Sequence, residues 1–132
     1  MRFVIKTAIA LIASAFSLSA SAQTPGADVF VPISKYIAKG EAEPLSAWFD
    51  DYLAISVSDT DKNASKTQAK QIMRSFFEQN TPSAFTITST ASQGEMKYAM
   101  GNLEAGGKAF SVTIFVIYKG DRYKIQQLKI EK

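Results

Sequence analysis

The stretch Lys108-Ala-Phe-Ser-Val-Thr-Ile-Phe-Val-Ile-Tyr118 decides the fold of this chain. Apolar residues recur at every second position, which is the period of a β-strand. The apolar face of the predicted strand consists of Phe110, Val112, Ile114, Val116 and Tyr118. A strand with one continuous apolar face indicates a sheet whose other elements cover that face.

Three more strands flank this one. The same alternation predicts strands over residues 84–91, 96–103 and 122–132, separated by the turn sequences Gln93-Gly94, Gly106-Gly107 and Gly120-Asp121. In the last strand Ile125 and Leu128 lie in opposite phase, so we expect a β-bulge near Gln126-Gln127 that returns both to one side. The C-terminal half is therefore predicted to be an antiparallel meander of four strands.

Amphipathic helices precede the meander. The first is predicted from about Val29 to Lys39, with Asp28 as its cap and Gly40 as its stop. A second short helix is predicted near Pro44, because its apolar residues recur at helical spacing: Leu45, Trp48, Phe49 and Tyr52. Residues 53–57 then alternate as a strand, and residues 58–64 are predicted to form a polar turn.

The third helix carries the clearest helical pattern. Ser65 and Gln68 have the spacing of a capping box, in which each side chain satisfies a backbone donor of the other residue. One apolar stripe follows, made of Ala69, Ile72, Met73, Phe76 and Phe77. The element order α-α-β-α-β-β-β-β predicts an α+β fold: three N-terminal helices on a curved, mostly antiparallel sheet, closing a cone.

The N-terminus has the pattern of a cleavable secretory signal. A basic start with Arg2 and Lys6 precedes an uncharged apolar run, which ends in Ala20-Ser-Ala22. We expect residues 1–22 to be a cleaved signal peptide, residues 23–27 a disordered lead and residues 28–132 a single α+β domain. The expected location is exported, periplasmic or extracellular, and no segment is long and apolar enough for a membrane span.

The amino-acid composition excludes several classes of function. The chain has no cysteine and no histidine, which excludes disulfides, histidine-based catalytic pairs and nearly all zinc sites. Cleavage would remove Arg2 and Lys6 from a formal net charge of +3, so the mature chain is almost neutral and is not predicted to bind nucleic acid. We therefore expect no cofactor and no metal.

Several stretches resemble a family of small exported bacterial proteins known as domain of unknown function 4783. They are Asp28-Val-Phe-Val-Pro-Ile-Ser34, Leu45-Ser-Ala-Trp-Phe49, Gln68-Ala-Lys-Gln-Ile72, Lys97-Tyr-Ala-Met-Gly101, Phe110-Ser-Val-Thr-Ile-Phe115 and Gln127-Leu-Lys-Ile-Glu131. The family looks like a branch of the cystatin-like fold typified by nuclear transport factor 2. The resemblance implies that fold and an exported location, but it supplies no activity and no catalytic residue.

Two sets of apolar residues are candidate binding surfaces. The first set is predicted to line a hydrophobic pocket in the cone for a small apolar ligand: Trp48, Tyr52, Met96, Tyr98 and Met100. Ordinary core packing is the alternative for these residues. The second set, Phe115 and Ile117, lies opposite the apolar face of its strand and is predicted to form a homodimer interface. Our first hypothesis is a non-catalytic ligand-binding or protein-interaction domain.

The alternative function is a small enzyme of the isomerase or dehydratase kind. It would use Asp50 or Asp51 as a base, and a buried aspartate would need a raised pKa for that role near neutral pH. The partner tyrosine would be one of three: Tyr36, Tyr52 or Tyr98. A solvated helix end beside a turn is the ordinary explanation of the two aspartates.

Two further motifs have ordinary explanations. Residues 59–63 match the opening of a calcium loop, but Ala64 and Lys70 replace the glycine and glutamate that complete it. Lys66, Lys70 and Arg74 form a basic stripe that is typical of the solvent side of a helix.

Overall fold

The computed structural model describes residues Val29 to Lys132, so the predicted signal peptide and lead lie outside the described residues. Its elements, in chain order, are α1 (Phe30–Lys39), α2 (Ala42–Ser46), β1 (Phe49–Val57), β2 (Thr60–Ser65), α3 (Lys66–Gln79), β3 (Pro82–Gln93), β4 (Met96–Ala105), β5 (Lys108–Lys119) and β6 (Arg122–Glu131). The strands form one sheet in the order β2-β1-β6-β5-β4-β3, and every neighbouring pair is antiparallel except β1 and β6. The predicted α+β class and the C-terminal meander are confirmed.

One face of the sheet, which we call the inner face, packs against the helices. The buried side chains of β5 are Phe110, Val112, Ile114 and Val116, and they share one core with the buried stripes of α1 and α3. α3 lies mainly over β1, with Phe76 edge-on to Phe110 at 5.2 Å between ring centroids. No helix within residues 29–132 is long and apolar enough to cross a membrane.

The ends of the helices follow local chemistry. The Ser65 Oγ accepts a hydrogen bond from the Gln68 N–H at 3.2 Å, and the Gln68 Oε1 accepts one from the Ser65 N–H at 3.1 Å. The predicted capping box is therefore present at the start of α3. At the end of α1, Gly40 takes the left-handed conformation with φ 68°, which a side chain would disfavour.

The second helix is shorter than predicted. It ends at Ser46, and Phe49 already belongs to β1. The helical spacing of Trp48, Phe49 and Tyr52 was misleading because the backbone of this segment pairs with β6: the Ile125 N–H donates to the Trp48 carbonyl at 2.6 Å. Strand pairing thus replaces the helical hydrogen bonds after one turn.

The polar turn predicted for residues 58–64 is also wrong. Only Ser58 and Asp59 turn, and Thr60–Ser65 forms the edge strand β2 against β1. Its sequence lacks apolar alternation because Ala64 is its one buried residue. The sheet consequently has six strands rather than the five that the sequence predicted.

Shifts of register between neighbouring strands bend the sheet at several points. In β6, Phe115 pairs with Gln127 whereas Val116 pairs with Ile125, which leaves Gln126 as the extra residue and confirms the predicted bulge. In β3, the register against β4 shifts between Pro82 and Ala84 and again between Ile87 and Ser89. The register of β1 against β6 shifts between Phe49 and Ala54. Because bulges increase local twist and bend a strand, these points contribute to the curvature of the sheet.

Candidate functional site

Five apolar side chains form a patch on the outer face of the sheet, opposite the helices. We call this set the outer patch: Met96, Tyr98 and Met100 of β4 with Phe115 and Ile117 of β5. Met96 lies opposite Ile117 and Tyr98 lies opposite Phe115 in the β4–β5 pairing. The rings of Tyr98 and Phe115 stack at 5.3 Å. Met96 and Met100 are 43% and 44% exposed, respectively, so the patch is open to solvent.

The placement of Met96, Tyr98 and Met100 in the cone is wrong. The inner face of β4 is occupied instead by Ala99, Gly101, Leu103 and Ala105, all of them buried. At Gly101 neighbouring groups approach closely, because a Cβ there would lie 2.5 Å from the Thr86 carbonyl oxygen. The larger side chains of β4 therefore project outward, where they join Phe115 and Ile117.

The other two residues of the predicted pocket lie apart from the outer patch. Trp48 is half-buried beneath the Arg122 guanidinium, 5.4 Å from the ring centroid, and Arg122 also donates to the Ala47 carbonyl at 3.0 Å. Tyr52, on β1, is 73% exposed. The five predicted pocket residues thus do not surround one cavity.

A shallow groove of about 250 Å³ lies beside the outer patch. It is lined by Ala54, Met96, Phe115, Val116, Ile117, Gln126 and Gln127. The bulge at Gln126 opens the β5–β6 pairing at this point, which explains why the otherwise buried Val116 contributes to the lining. The groove therefore has an apolar floor and two amide side chains at its rim.

An ion pair between a buried carboxylate and an exposed ammonium lies next to the groove. The carboxylate of Asp50 lies 2.9 Å from the Lys119 ammonium and accepts hydrogen bonds from the Gln126 amide at 2.6 Å and the Asp51 N–H at 2.8 Å. Burial raises the pKa of the Asp50 carboxyl, but Lys119 and these two donors outweigh burial and hold the pKa below its ordinary value of 3.8. We expected a raised pKa for Asp50 if it acts as a catalytic base, and this expectation is wrong.

The predicted carboxylate–tyrosine pair does not form. Within residues 29–132, no tyrosine hydroxyl is hydrogen-bonded to Asp50, whose partners are Lys119, Gln126 and the neighbouring backbone. Asp51 is exposed, as is Tyr52, and Tyr98 stacks on Phe115 in the outer patch. The sequence could not reveal Lys119 as the partner of Asp50, because the two are far apart in the chain.

The basic stripe of α3 has a structural role. The Lys70 ammonium lies 3.4 Å, and the Arg74 guanidinium 3.1 Å, from carboxylate oxygens of Glu43 in α2. These contacts tie the short helix α2 to α3. In the part of the chain that the structure describes, no three acidic or other metal-binding side chains cluster closely enough to hold a metal ion.

Comparison with known proteins identifies relatives of the same fold. Residues 30–131 match the family model of a domain of unknown function, DUF4783. A DUF4783 family protein from Bacteroides ovatus has a TM-score of 0.74 and 24% identity, over 77% of this chain and 93% of that one. A second one from Bacteroides uniformis has a TM-score of 0.73 and 20% identity, over 83% and 97%.

A more distant structure has the same architecture. It is an NTF2-like protein of unknown function from Cytophaga hutchinsonii, with a TM-score of 0.59 and 7% identity over 83% of this chain and 91% of that one. No curated protein matches this chain in sequence. These similarities establish the fold and leave the activity to be argued from the surface.

Proposed function

Because the chain belongs to the DUF4783 family, whose fold resembles nuclear transport factor 2 and whose function is unknown, we propose a function from its surface: it is an exported, non-catalytic interaction domain that self-associates through the outer patch. The observation that carries this proposal is the outer patch itself. The buried faces of all three helices belong to the core on the inner side, so the outer patch keeps its apolar area in water. Exposed apolar clusters of this kind mark interaction surfaces.

The size of the groove supports a protein partner over a small ligand. Pockets that bury a small molecule have volumes of about 300–1,000 Å³, whereas the groove beside the outer patch has about 250 Å³ and is open. Two larger depressions, of about 540 and 410 Å³, lie at the ends of the inner face, next to Phe110 and Phe76 respectively, and polar side chains make up most of the lining residues of each. A partner surface that covers β4 and β5 suits the shape of the groove.

The state of Asp50 supports a non-catalytic role. An aspartate base that works near neutral pH needs a raised pKa, and Lys119 with its neighbours lowers the pKa of Asp50. The same contacts occupy both carboxylate oxygens. These contacts therefore keep Asp50 ionised and leave neither of its oxygens without a partner.

A second copy of the chain is the partner we propose. The five side chains of the outer patch are uncharged, so two copies of the patch can face each other with Lys124, which lies opposite Ile117 in the β5–β6 pairing, at the rim of the contact. A two-fold contact uses the same surface on both subunits, and an apolar patch on one face of the sheet meets that requirement.

Sedimentation of residues 23–132 tests the proposal. We expect the wild-type protein to associate at micromolar concentration, and Phe115→Lys to weaken association by about 30-fold or more, the loss typical of a central interface residue. Ser111→Lys is the matched control, because it adds the same charge to the same face of β5 outside the outer patch. Met100→Lys, at a largely exposed position, repeats the test with less effect on folding.

Two results would overturn the proposed self-association. One is a wild-type chain that remains monomeric at about 100 μM, well above the range expected for a specific contact. The other is equal behaviour of Phe115→Lys and Ser111→Lys. Export is tested separately, since protein recovered from its native cells should begin at Gln23.

A further inference from the structure

The two edges of the sheet differ in a way that bears on assembly. The edge strand β2 is six residues long, carries Asp61 and Lys62, and leads directly into α3. The opposite edge strand, β3, has twelve residues and no charged side chain. Sheet edges expose unpaired N–H and C=O groups, and proteins usually protect them by shortening them or by adding charge. β2 has both protections and β3 has neither.

The second half of β3 is the unprotected part. From Ser89 to Gln93 the strand pairs with β4 without a register shift, beyond the bulge at Thr88. All five residues of this segment are exposed, whereas Phe85 and Ile87 in the first half are half-buried against the core. In the described part of the chain, no strand lies on the other side of β3. We call residues 89–93 the free edge.

We propose that the free edge pairs antiparallel with the free edge of a second copy of this chain. Antiparallel pairing about Ala91 puts Ala91 opposite its own copy, Thr90 opposite Ser92, and Ser89 opposite Gln93. Hydroxyl-bearing residues opposite one another are favourable cross-strand pairs, and no like charges meet. The segment is therefore complementary to itself, which identifies the second copy as the occupant.

The neighbouring surface supports this pairing. Ala91 lies opposite Tyr98 in the β3–β4 ladder, so the free edge borders the outer patch. Joining two sheets at this edge would place two outer patches on one continuous sheet surface. The edge contact uses backbone groups of β3 and does not require the face contact proposed above.

The absence of native cysteine makes the pairing directly testable. Residues opposite each other in an antiparallel pair have Cα atoms about 4.5–5.5 Å apart, within the roughly 4.4–6.8 Å that a disulfide accepts. Ala91→Cys should therefore form a disulfide-linked dimer under mild oxidation. Ser83→Cys, exposed near the opposite end of the same strand, is the control.

We expect Ala91→Cys to cross-link at least on the order of tenfold faster than Ser83→Cys, because pairing raises the local thiol concentration. Separately purified Thr90→Cys and Ser92→Cys should cross-link faster when mixed than either does alone. Equal rates for Ala91→Cys and Ser83→Cys would overturn the proposal. So would failure of the Thr90→Cys and Ser92→Cys mixture to exceed its components.

The cross-link must also survive loss of the face contact. In the Phe115→Lys background, Ala91→Cys should still cross-link faster than Ser83→Cys. If that difference disappears, the proximity of the two copies of Ala91 comes from the outer patch, and the edge proposal is wrong although the proposed function stands. If the difference persists while Phe115→Lys leaves sedimentation unchanged, the edge proposal stands and the outer-patch proposal fails.

Discussion

Replacement of Gly101 by alanine should strain the most closely packed point of the sheet. The backbone at Gly101 has no positive φ, so alanine meets no conformational penalty there. Its Cβ would, however, lie 2.5 Å from the Thr86 carbonyl oxygen and 3.0 Å from the Phe85 ring. Ordinary contacts begin near 3.4 Å, so the added methyl group needs almost 1 Å of extra space against backbone in the neighbouring strand.

The expected cost follows from these distances. Overpacking of a well-packed site costs about 1–3 kcal/mol, and replacement of glycine recovers about 0.4–1 kcal/mol by restricting the unfolded chain. The upper part of the overpacking range applies because the clashing Thr86 atom is backbone and cannot change rotamer. We therefore expect Gly101→Ala to lower the free energy of unfolding by about 2 kcal/mol, or Tm by roughly 8 °C or more for a domain of this size.

Urea denaturation followed by circular dichroism measures this loss. Asn102→Ala, an exposed change one residue further along β4, is the control and should stay within about 0.5 kcal/mol of wild type. A Gly101→Ala protein as stable as that control would refute the close approach of β3 and β4. It would also remove our explanation for the outward projection of Met100.

Three more perturbations test other parts of the structure. Ile114→Ala should destabilise the domain by about 3 kcal/mol in urea denaturation, because Ile114 is fully buried in the core; a loss below about 1 kcal/mol would contradict that placement. Glu43→Gln should cost about 0.5–1 kcal/mol in the same assay, since the lost ion pairs are exposed, and high salt should reduce the difference. Asp50 has a lowered pKa in the folded state, so its ion pair stabilises the protein above the ordinary pKa of 3.8, and that stabilisation is lost as the pH falls below it. Unfolding measured from about pH 6 down to about pH 3 should therefore show the stability of wild type converging on that of Asp50→Asn at the acid end; parallel stability curves for the two proteins would contradict the ion pair.

The parts of the fold that could be predicted are those with a strong local pattern. β5 alternates without interruption, and α3 combines an apolar stripe with the Ser65–Gln68 capping box. The bulge in β6 was predictable because Ile125 and Leu128 had to reach the same buried face. In each case one stretch of sequence contains all the information that the structure uses.

The errors occurred where a distant segment determines the local structure. β2 has a polar sequence and is a strand because β1 pairs with it. Phe49 leaves the helical pattern because β1 pairs with β6. Asp50 is ionised because Lys119 and Gln126 reach it from β5 and β6. No pattern within eight or ten neighbouring residues contains these partners.

It was difficult for a different reason to predict which residues of β4 point toward the core, because both faces of this strand are apolar. The outward set has the larger side chains, and size alone favours placing Met96, Tyr98 and Met100 inside. The bend of the sheet reverses that choice, since the close approach at Gly101 leaves room inside only for small residues and Leu103. Large apolar side chains are thereby displaced to a surface that no helix covers.

This displacement links the fold to its proposed use. The closely packed inner face holds the buried apolar side chains of β4 and β5. Their remaining apolar side chains lie on the outer face, next to the free edge at Ala91. A face contact and an edge contact are two different two-fold contacts on one subunit, and a chain that uses both assembles beyond a dimer. Phe115→Lys and a change that blocks the free edge should each reduce the assembly to a dimer, held in each case by the remaining contact. Only the combination of both changes should then yield a monomer.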